Sequence, residues 1–444
     1  MTDWIAARKE WKQGGMLVAA AAITQGVAIT QFYTLGVFMK PLSQLYGWSR
    51  ADIGFIQLIY SVTFAVLGPF VAVFADRLGP RRISIPGVAA FCMTFALYAA
   101  TTSNIWTWYA VGLLNALTIL FCNAPILTLG VARRFKASLG LALAVVLAGG
   151  SLYTTTLLPL LAAHMIDHYG VKAAYLTLAA LGAGLSLPML YFFYDRTPVR
   201  QPDRTAAPED GSPVRDTAAG LPGCTVAEAF RQPRYWRLVL ATVLITGAVH
   251  PAVIHFVPIA SDQGLSLETA ALAASVIGIA SIGGRLFTGV LLDLFPPRLV
   301  GAACCILPIG AFALLAHGGS LPLMVAAALI AGLSLGAEID VASYLTTRYF
   351  GIRRYAVIYS VLYSVSSLGS AGGIWLAGRI HDKTGSYHQG MLLCSAVASI
   401  SALLLLSMGR MPGYSGSDAA DDRSGSPDRA GRAHTDTVGV RAIS

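Results

Sequence analysis

Arg285 is the residue in this chain whose setting most needs a chemical reason. It stands in an apolar stretch, between Ile282-Gly-Gly and Leu286-Phe287, with no other ionised residue within a helical turn. Inside a bilayer a cation costs several kcal/mol unless it meets a partner or water, so its presence points to function. A guanidinium offers a planar, two-pronged fit to a carboxylate, which makes Arg285 the candidate site for an anionic substrate. The other use of such a residue is a structural ion pair, with Glu338 or Asp340 as the partner.

Glu338 and Asp340 share another apolar stretch. Two positions on a helix are about 200° apart, so the two acids face different ways, one toward a central path and the other toward a neighbouring helix. Glu338 is expected to face the path and to carry a proton, with Asp340 as a second coupling candidate; carboxyls within membrane spans commonly mark proton relays. His255 joins them, and His250 is a candidate for the substrate site, although a histidine in an apolar helix is often only a hydrogen-bonded packing residue. Tyr33, Asn115, Asn123, Tyr344, Tyr359 and Tyr363 could supply hydrogen bonds to a bound anion, and tyrosine is also a common packing residue in membranes.

These groups need elements that hold them at mid-membrane depth. Apolar residues make up 55% of the 444 and charged residues only 12%, so the chain lacks the charged surface a soluble core requires. Hydrophobic stretches of about 18–25 residues recur, each long enough for a helix to cross roughly 30 Å of hydrocarbon. They predict twelve spans, at 15–40, 53–75, 84–101, 106–132, 137–163, 172–194, 236–260, 269–292, 299–317, 321–347, 355–380 and 388–408. Glycine inside them suits close helix packing in lipid. The period-two alternation of a membrane β-barrel is not seen. The first stretch is too long for a signal peptide core and reads as an uncleaved span.

The net charge of +9 has a location. With the N-terminus cytoplasmic, Arg8, Lys9, Lys12, Arg77, Arg81, Arg82, Arg133, Arg134, Lys136, Arg298, Arg348, Arg353, Arg354 and Arg410 share that side with the basic residues of the central loop and the tail. Lys40, Arg50, Lys172, Arg379 and Lys383 fall opposite. This is the positive-inside bias in both halves, and it accounts for the basicity without nucleic acid. The expected location is the cell's inner (plasma) membrane, multi-pass, with both termini cytoplasmic. The six cysteines lie mostly in apolar spans without ligand spacing and read as small buried hydrophobes.

The polar run 195–235 divides the spans six and six, between an N-terminal bundle (1–194) and a C-terminal bundle (236–411), and reads as a cytoplasmic linker. Thr225-Val-Ala-Glu228 is a capping-box pattern and predicts a short helix leading into span seven. Residues 412–444 have the composition of a disordered tail. The halves repeat: Pro41, Gly47, Ser49 and Asp76 recur as Pro258, Gly264, Ser266 and Asp293, 217 residues later, and Gly170 recurs as Gly385 at an offset of 215. Such a series indicates a duplicated six-span unit. The same offsets pair Tyr33 with His250 and Asn123 with Glu338. Arg285 falls on Gly68, so the scaffold is symmetric and its central cation is not.

The loop after span two reads Asp76-Arg77-Leu78-Gly79-Pro80-Arg81-Arg82. An acid at a helix end followed by Arg-x-Gly-x-Arg resembles the inter-span signature of the major facilitator superfamily, with Ala72 where that signature opens with glycine. The second copy, Gly289-Val-Leu-Leu-Asp293, keeps the glycine and has Leu294 in place of the arginine. The resemblance implies a gating role for Asp76, Arg77, Gly79, Arg81, Arg82, Gly289 and Asp293, in which charge pairs hold one conformation until the halves rock. Anchoring of topology by positive charge is the simpler use of the same residues.

Within that superfamily the chain resembles the monocarboxylate transporter and oxalate–formate antiporter branch. The matching residues are Gly36-Val-Phe with Pro41, Gly47-Trp-Ser-Arg50, Arg134-Phe135-Lys136, Leu141-Ala-Leu-Ala144, Ala148-Gly-Gly150, Gly336-Ala-Glu338-Ile-Asp340, Arg348-Tyr-Phe-Gly351 and Asp382-Lys-Thr-Gly-Ser-Tyr387. The resemblance implies an all-α membrane protein of two pseudo-symmetric six-helix bundles, with Arg285 as the substrate-binding arginine. There are departures. Gly14-Gly15 lacks the acid of the span-one motif in animal monocarboxylate carriers, and Ser281 stands where their eighth-span arginine has an aspartate four residues earlier. Span eleven has no lysine until Lys383, unlike the oxalate carrier.

The expected function is secondary transport of a small organic anion, a monocarboxylate, by proton symport and alternating access. Anion exchange or drug efflux are the alternatives within transport, and a carboxylate-binding membrane sensor is one outside it. The partners are the anion, protons and membrane lipid. No Gly-x-x-x-x-Gly-Lys-Ser/Thr loop, Gly-x-Ser-x-Gly elbow or His/Cys cluster occurs, so no enzyme activity, cofactor or metal is expected.

Overall fold

A computed structural model describes residues 4–122, 124–135, 138–194, 223–317, 319–351 and 353–409. Asn123, most of the linker and the tail lie outside the described residues. Helix dominates. In the N-terminal half α1 (Trp4–Ala28) and α2 (Thr30–Tyr46) form one broken span, followed by α3 (Arg50–Gly54) and α4 (Ile56–Leu78), α5 (Pro80–Ala96), α6 (Ile105–Ile119), α7 (Ala124–Arg134) and α8 (Leu139–Phe193). The C-terminal half holds α9 (Val226–Arg231), α10 (Pro233–Ile254), α11 (Phe256–Asp262), α12 (Leu267–Leu294), α13 (Pro297–His317), α14 (Leu321–Phe350), α15 (Tyr355–Thr384) and α16 (His388–Leu406).

Ten helical runs among the described residues are long and apolar enough to cross a membrane. One of them, Tyr153–Phe193 within α8, covers 41 residues and holds two spans, because Gly170 leaves helical geometry at φ 83°. The fourth expected span is divided, as α6 and α7. Counted so, all twelve expected spans have their helices. The capping box is also present: Thr225 accepts from the Glu228 amide at 3.3 Å, its own amide donates to Glu228 Oε2 at 2.9 Å, and α9 follows.

The repeated residues do the same work in both halves. Gly47 and Gly264 both take positive φ, at 71° and 99°, in the turn after a Pro-containing helix. Ser49 and Ser266 then cap the next helix, accepting from the amides of Asp52 and Thr269 at 3.1 and 3.2 Å. A helix start leaves such amides without partners, which explains why serine stands at both places.

A glycine seam joins α12 to α14. A side chain at Gly332 would meet the Ile277 carbonyl oxygen at 2.5 Å, and one at Gly336 would meet the Ser281 carbonyl oxygen at 2.0 Å. Glycine spaced by four lets two backbones touch, the usual way for helices to associate where lipid gives no hydrophobic drive. The seam also sets a register. Ile277 lies by Gly332 and Ser281 by Gly336; one further turn brings Arg285 to Asp340.

Candidate functional site

Arg285 Nε lies 3.2 Å from Asp340 Oδ2, and the two side chains are 44% and 35% exposed. Glu338 differs: its side chain is 2% exposed, 3.5 Å from His250 Nδ1, which itself donates to the Thr246 carbonyl at 3.0 Å. Neither Glu338 carboxyl oxygen has a hydrogen-bond partner. Glu338 borders a small cavity of about 10 Å³, roughly one water, with Thr242, Ile245 and Cys305 on its wall. Asp340 faces the accessible cation and Glu338 turns into the bundle, because Asp340 continues the seam register and Glu338 sits half a turn round the helix from Gly336.

The aromatic candidates divide. Arg285 is within electrostatic range of Tyr33, Tyr359 and Tyr363, as it is of Glu338. The ring of Phe32 meets that of Tyr33 edge-on at 5.1 Å and that of His250 edge-on at 5.5 Å, so Phe32 stands between the two residues aligned by the repeat. Tyr344 instead accepts from Arg348 at 2.7 Å, with the guanidinium over its ring. Asn115 is a correction: it is fully buried, bonded to Tyr60 Oη, the Phe91 carbonyl and Thr94 Oγ1, and holds the N-terminal bundle together.

His255 is a second correction. It is fully buried, with Nε2 on the Ile374 carbonyl at 3.0 Å and Nδ1 on Tyr387 Oη at 2.8 Å. Both nitrogens are occupied away from Arg285, as part of a cluster that closes one face of the molecule. Of the gating residues, Arg81 donates to the Tyr191 carbonyl at 2.6 Å, Gly79 (φ 90°) starts α5, Arg82 is exposed, and open space surrounds Gly289. Helices pass through Asp76, Arg77 and Asp293, but their side chains lie outside the described ones.

The closing cluster went unassigned from sequence. Gly47 ends α2 and Ser49 starts α3, which places Arg50 at the first turn of a helix pointing to the other half. Arg50 forms a fork with Asp262, Nη1–Oδ2 at 2.5 Å and Nη2–Oδ1 at 2.8 Å, and its guanidinium lies 5.3 Å from the Tyr387 ring centre. The amides of Arg50 and Ala51 donate to the two oxygens of Asp382 at 3.0 and 2.9 Å. A C-terminal-half carboxylate thus sits on the positive end of an N-terminal-half helix. Lys40 donates to the Ser261 carbonyl at 3.0 Å. Backbones also touch, since a side chain at Gly36 would meet the Ile254 carbonyl oxygen at 2.1 Å. These contacts tie the Arg50 face shut.

Burial works to raise the Asp262 carboxyl, but the hydrogen bonds from His381 and Arg50 outweigh it and hold it well below the usual carboxylate range. The sign follows: the stabilisation is fully present above the ordinary carboxylate value near 4 and is lost only as pH falls through the lowered one. Lowering pH from 7.5 to 5.5 should leave the Asp262 latch intact. Arg50→Ala should open it, since losing a partly screened bidentate pair costs about 1–2 kcal/mol, a shift of about five- to thirtyfold in population. Spin-label distances between the halves on this face would record it; an unchanged distribution in Arg50→Ala would show the latch to be idle.

Two six-helix halves around a mid-membrane ion pair, joined on one face, define a multi-pass membrane carrier. The chain belongs to the major facilitator superfamily, whose family model matches residues 21–374. Among relatives, it is 24% identical to monocarboxylate transporter 11 of Mus musculus, over 89% of this chain and 88% of that one. It is 22% identical to monocarboxylate transporter 2 of Homo sapiens, over 88% and 84%. Among solved structures, nucleoside transporter NupG superposes with a TM-score of 0.67 at 14% identity, over 88% of this chain and 98% of that one. A bacterial homolog to the human lysosomal transporter Spinster superposes at 0.64 with 18% identity, over 88% and 93%. These superpositions speak to the fold.

Proposed function

We propose that this chain carries a monocarboxylate together with a proton, by alternating exposure of the Arg285 site, with the α9 face toward the cytoplasm. The observation that carries this reading is the Arg285–Asp340 pair: a cation within a membrane span, bound to one carboxylate and still accessible. An incoming carboxylate offers Arg285 the same chemistry that Asp340 offers. When it takes the guanidinium, Asp340 loses its partner and accepts a proton; on release, the proton leaves and the pair re-forms. Ser281 stands where the related carriers have an acid on the same helix, and Asp340 supplies that acid from across the seam. The likeness to monocarboxylate transporters 11 and 2 favours the same substrate class. Glu338, with two unfilled acceptor atoms beside His250, is the second place for a proton.

Purified protein in proteoliposomes, given an inward proton gradient and a panel of short labelled monocarboxylates, is expected to accumulate at least one. Asp340→Asn should lose gradient-driven accumulation and keep exchange of internal for external anion. Accumulation that survives in Asp340→Asn and is lost in Glu338→Gln would move the proton to Glu338. Failure of every monocarboxylate to enter or exchange would overturn the reading.

A further inference from the structure

Far from Arg285, histidine and carboxylate side chains from the two halves converge near the Arg50 face. His164 and His168 lie one turn apart on α8, before its bend at Gly170, and Glu268 is in the first turn of α12. His164 Nδ1 is 2.9 Å from Glu268 Oε1, and the imidazole rings are 4.2 Å apart between centres. One ligand atom from each of the three side chains lies within 4.8 Å of the others, and all three residues are exposed. Asp167 lies within electrostatic range of all three and adds negative charge.

The chemistry of His168 is already set for a metal. Its Nδ1 is 3.0 Å from the His164 carbonyl oxygen. A carbonyl only accepts, so Nδ1 carries the proton and the lone pair lies on Nε2, the arrangement that metal-bound histidines use to fix their tautomer. Histidines spaced by four share a helix face, and the carboxylate arrives from the other half. Two imidazoles and a carboxylate, with a position left for water, are a zinc donor set. Bonds of about 2.0–2.1 Å in tetrahedral geometry put ligand atoms about 3.4 Å apart, so these groups need to close by about 1.4 Å at most, within the reach of exposed side chains.

We propose that His164, His168 and Glu268 form a zinc site that bridges the two halves and holds the Arg50 face closed. Zinc exchanges the hydrogen bond between His164 and Glu268 for a shared ion: each imidazole gives one lone pair, the carboxylate gives another, and water completes the shell. Because the ligands belong to different halves, the ion binds this closed arrangement in preference to one in which the halves part here. Zinc should therefore act as an inhibitor of any cycle that requires this face to open. The proposal does not depend on what the carrier moves.

The test uses the full chain in detergent, stripped with EDTA and titrated with zinc chloride by calorimetry. One ion per chain at low-micromolar affinity is expected, weakened at least tenfold in both His168→Ala and Glu268→Gln. Both variants should melt like the wild type without metal, since the replaced groups are exposed. Unchanged affinity in Glu268→Gln would mean a histidine pair on one helix and no bridge, which overturns the proposal. Absence of saturable binding at 100 µM zinc would overturn it as well. Neither result bears on monocarboxylate uptake, so failure here and failure of the transport reading are read in separate assays.

Discussion

Arg285→Gln is expected to lower monocarboxylate uptake at least about 100-fold in proteoliposomes, with folded yield close to wild type. Hydrogen bonds to a charged partner contribute about 1.5–3 kcal/mol each, and 2.8 kcal/mol corresponds to 100-fold. Glutamine keeps a donor and much of the length but removes the charge and the fork. Folding should survive because Asp340 is 35% exposed and can meet water once its partner is gone. Arg285→Lys should fall between, retaining attraction without planar two-point contact. Uptake by Arg285→Gln at the wild-type rate would remove this residue from the substrate site.

Gly336→Leu is expected to do more damage still, to the protein itself. A β-carbon at this position falls 2.0 Å from the Ser281 carbonyl oxygen and 2.9 Å from the Arg285 amide nitrogen. The obstruction is backbone, so no side-chain rotation relieves it, and α12 and α14 must part. Overpacking of this kind costs about 3 kcal/mol or more. Folded protein recovered by size exclusion should drop sharply, and what remains should show little uptake, because the separation breaks the register that brings Arg285 to Asp340. Gly289→Ala on α12 is the control, since open space surrounds that position; its melting temperature should match wild type. A normal melting temperature for Gly336→Leu would show the seam to be looser than described.

Much of the fold was readable because its causes are local. Long apolar runs, the capping box at Thr225 to Glu228, and the Gly and Ser positions repeated 217 residues apart each announce themselves in a few residues. The division of span four into α6 and α7 was missed, although Pro125, at the second position of α7, is the residue that marks it. The site was legible in type and less so in arrangement. Arg285 stood out through its cost in a membrane, but the choice between Glu338 and Asp340 required the helix register. The clue was present in Gly332-x-x-x-Gly336-x-x-x-Asp340, which repeats the spacing of Ile277-x-x-x-Ser281-x-x-x-Arg285. A stripe of small residues shows which face is packed, and only the neighbouring helix shows against what.

Asn115 and His255 were misassigned for a shared reason. A polar side chain in an apolar helix either serves a cavity or satisfies a neighbour's backbone, and the partner that decides between the two lies elsewhere in the chain. Arg50, Asp382 and Tyr387 lay within motifs that carried the family resemblance yet had no assigned role, because the partners Asp262, Arg50 and His255 lie 212, 332 and 132 residues away. His164 and His168 stand four residues apart but were not singled out, because the third member of the cluster, Glu268, is supplied only by the meeting of the halves.

The Arg285–Asp340 pair has a consequence for the voltage across the membrane. Empty, the site sums to zero charge. Loaded with an anion and a proton, it sums to zero again. One elementary charge crossing 100 mV is worth about 2.3 kcal/mol, and a carrier whose moving parts are neutral at both stages neither gains nor loses that amount. A carrier working by the proposed symport answers to the pH difference and to the gradient of its substrate, and the voltage across the membrane leaves its balance point unchanged.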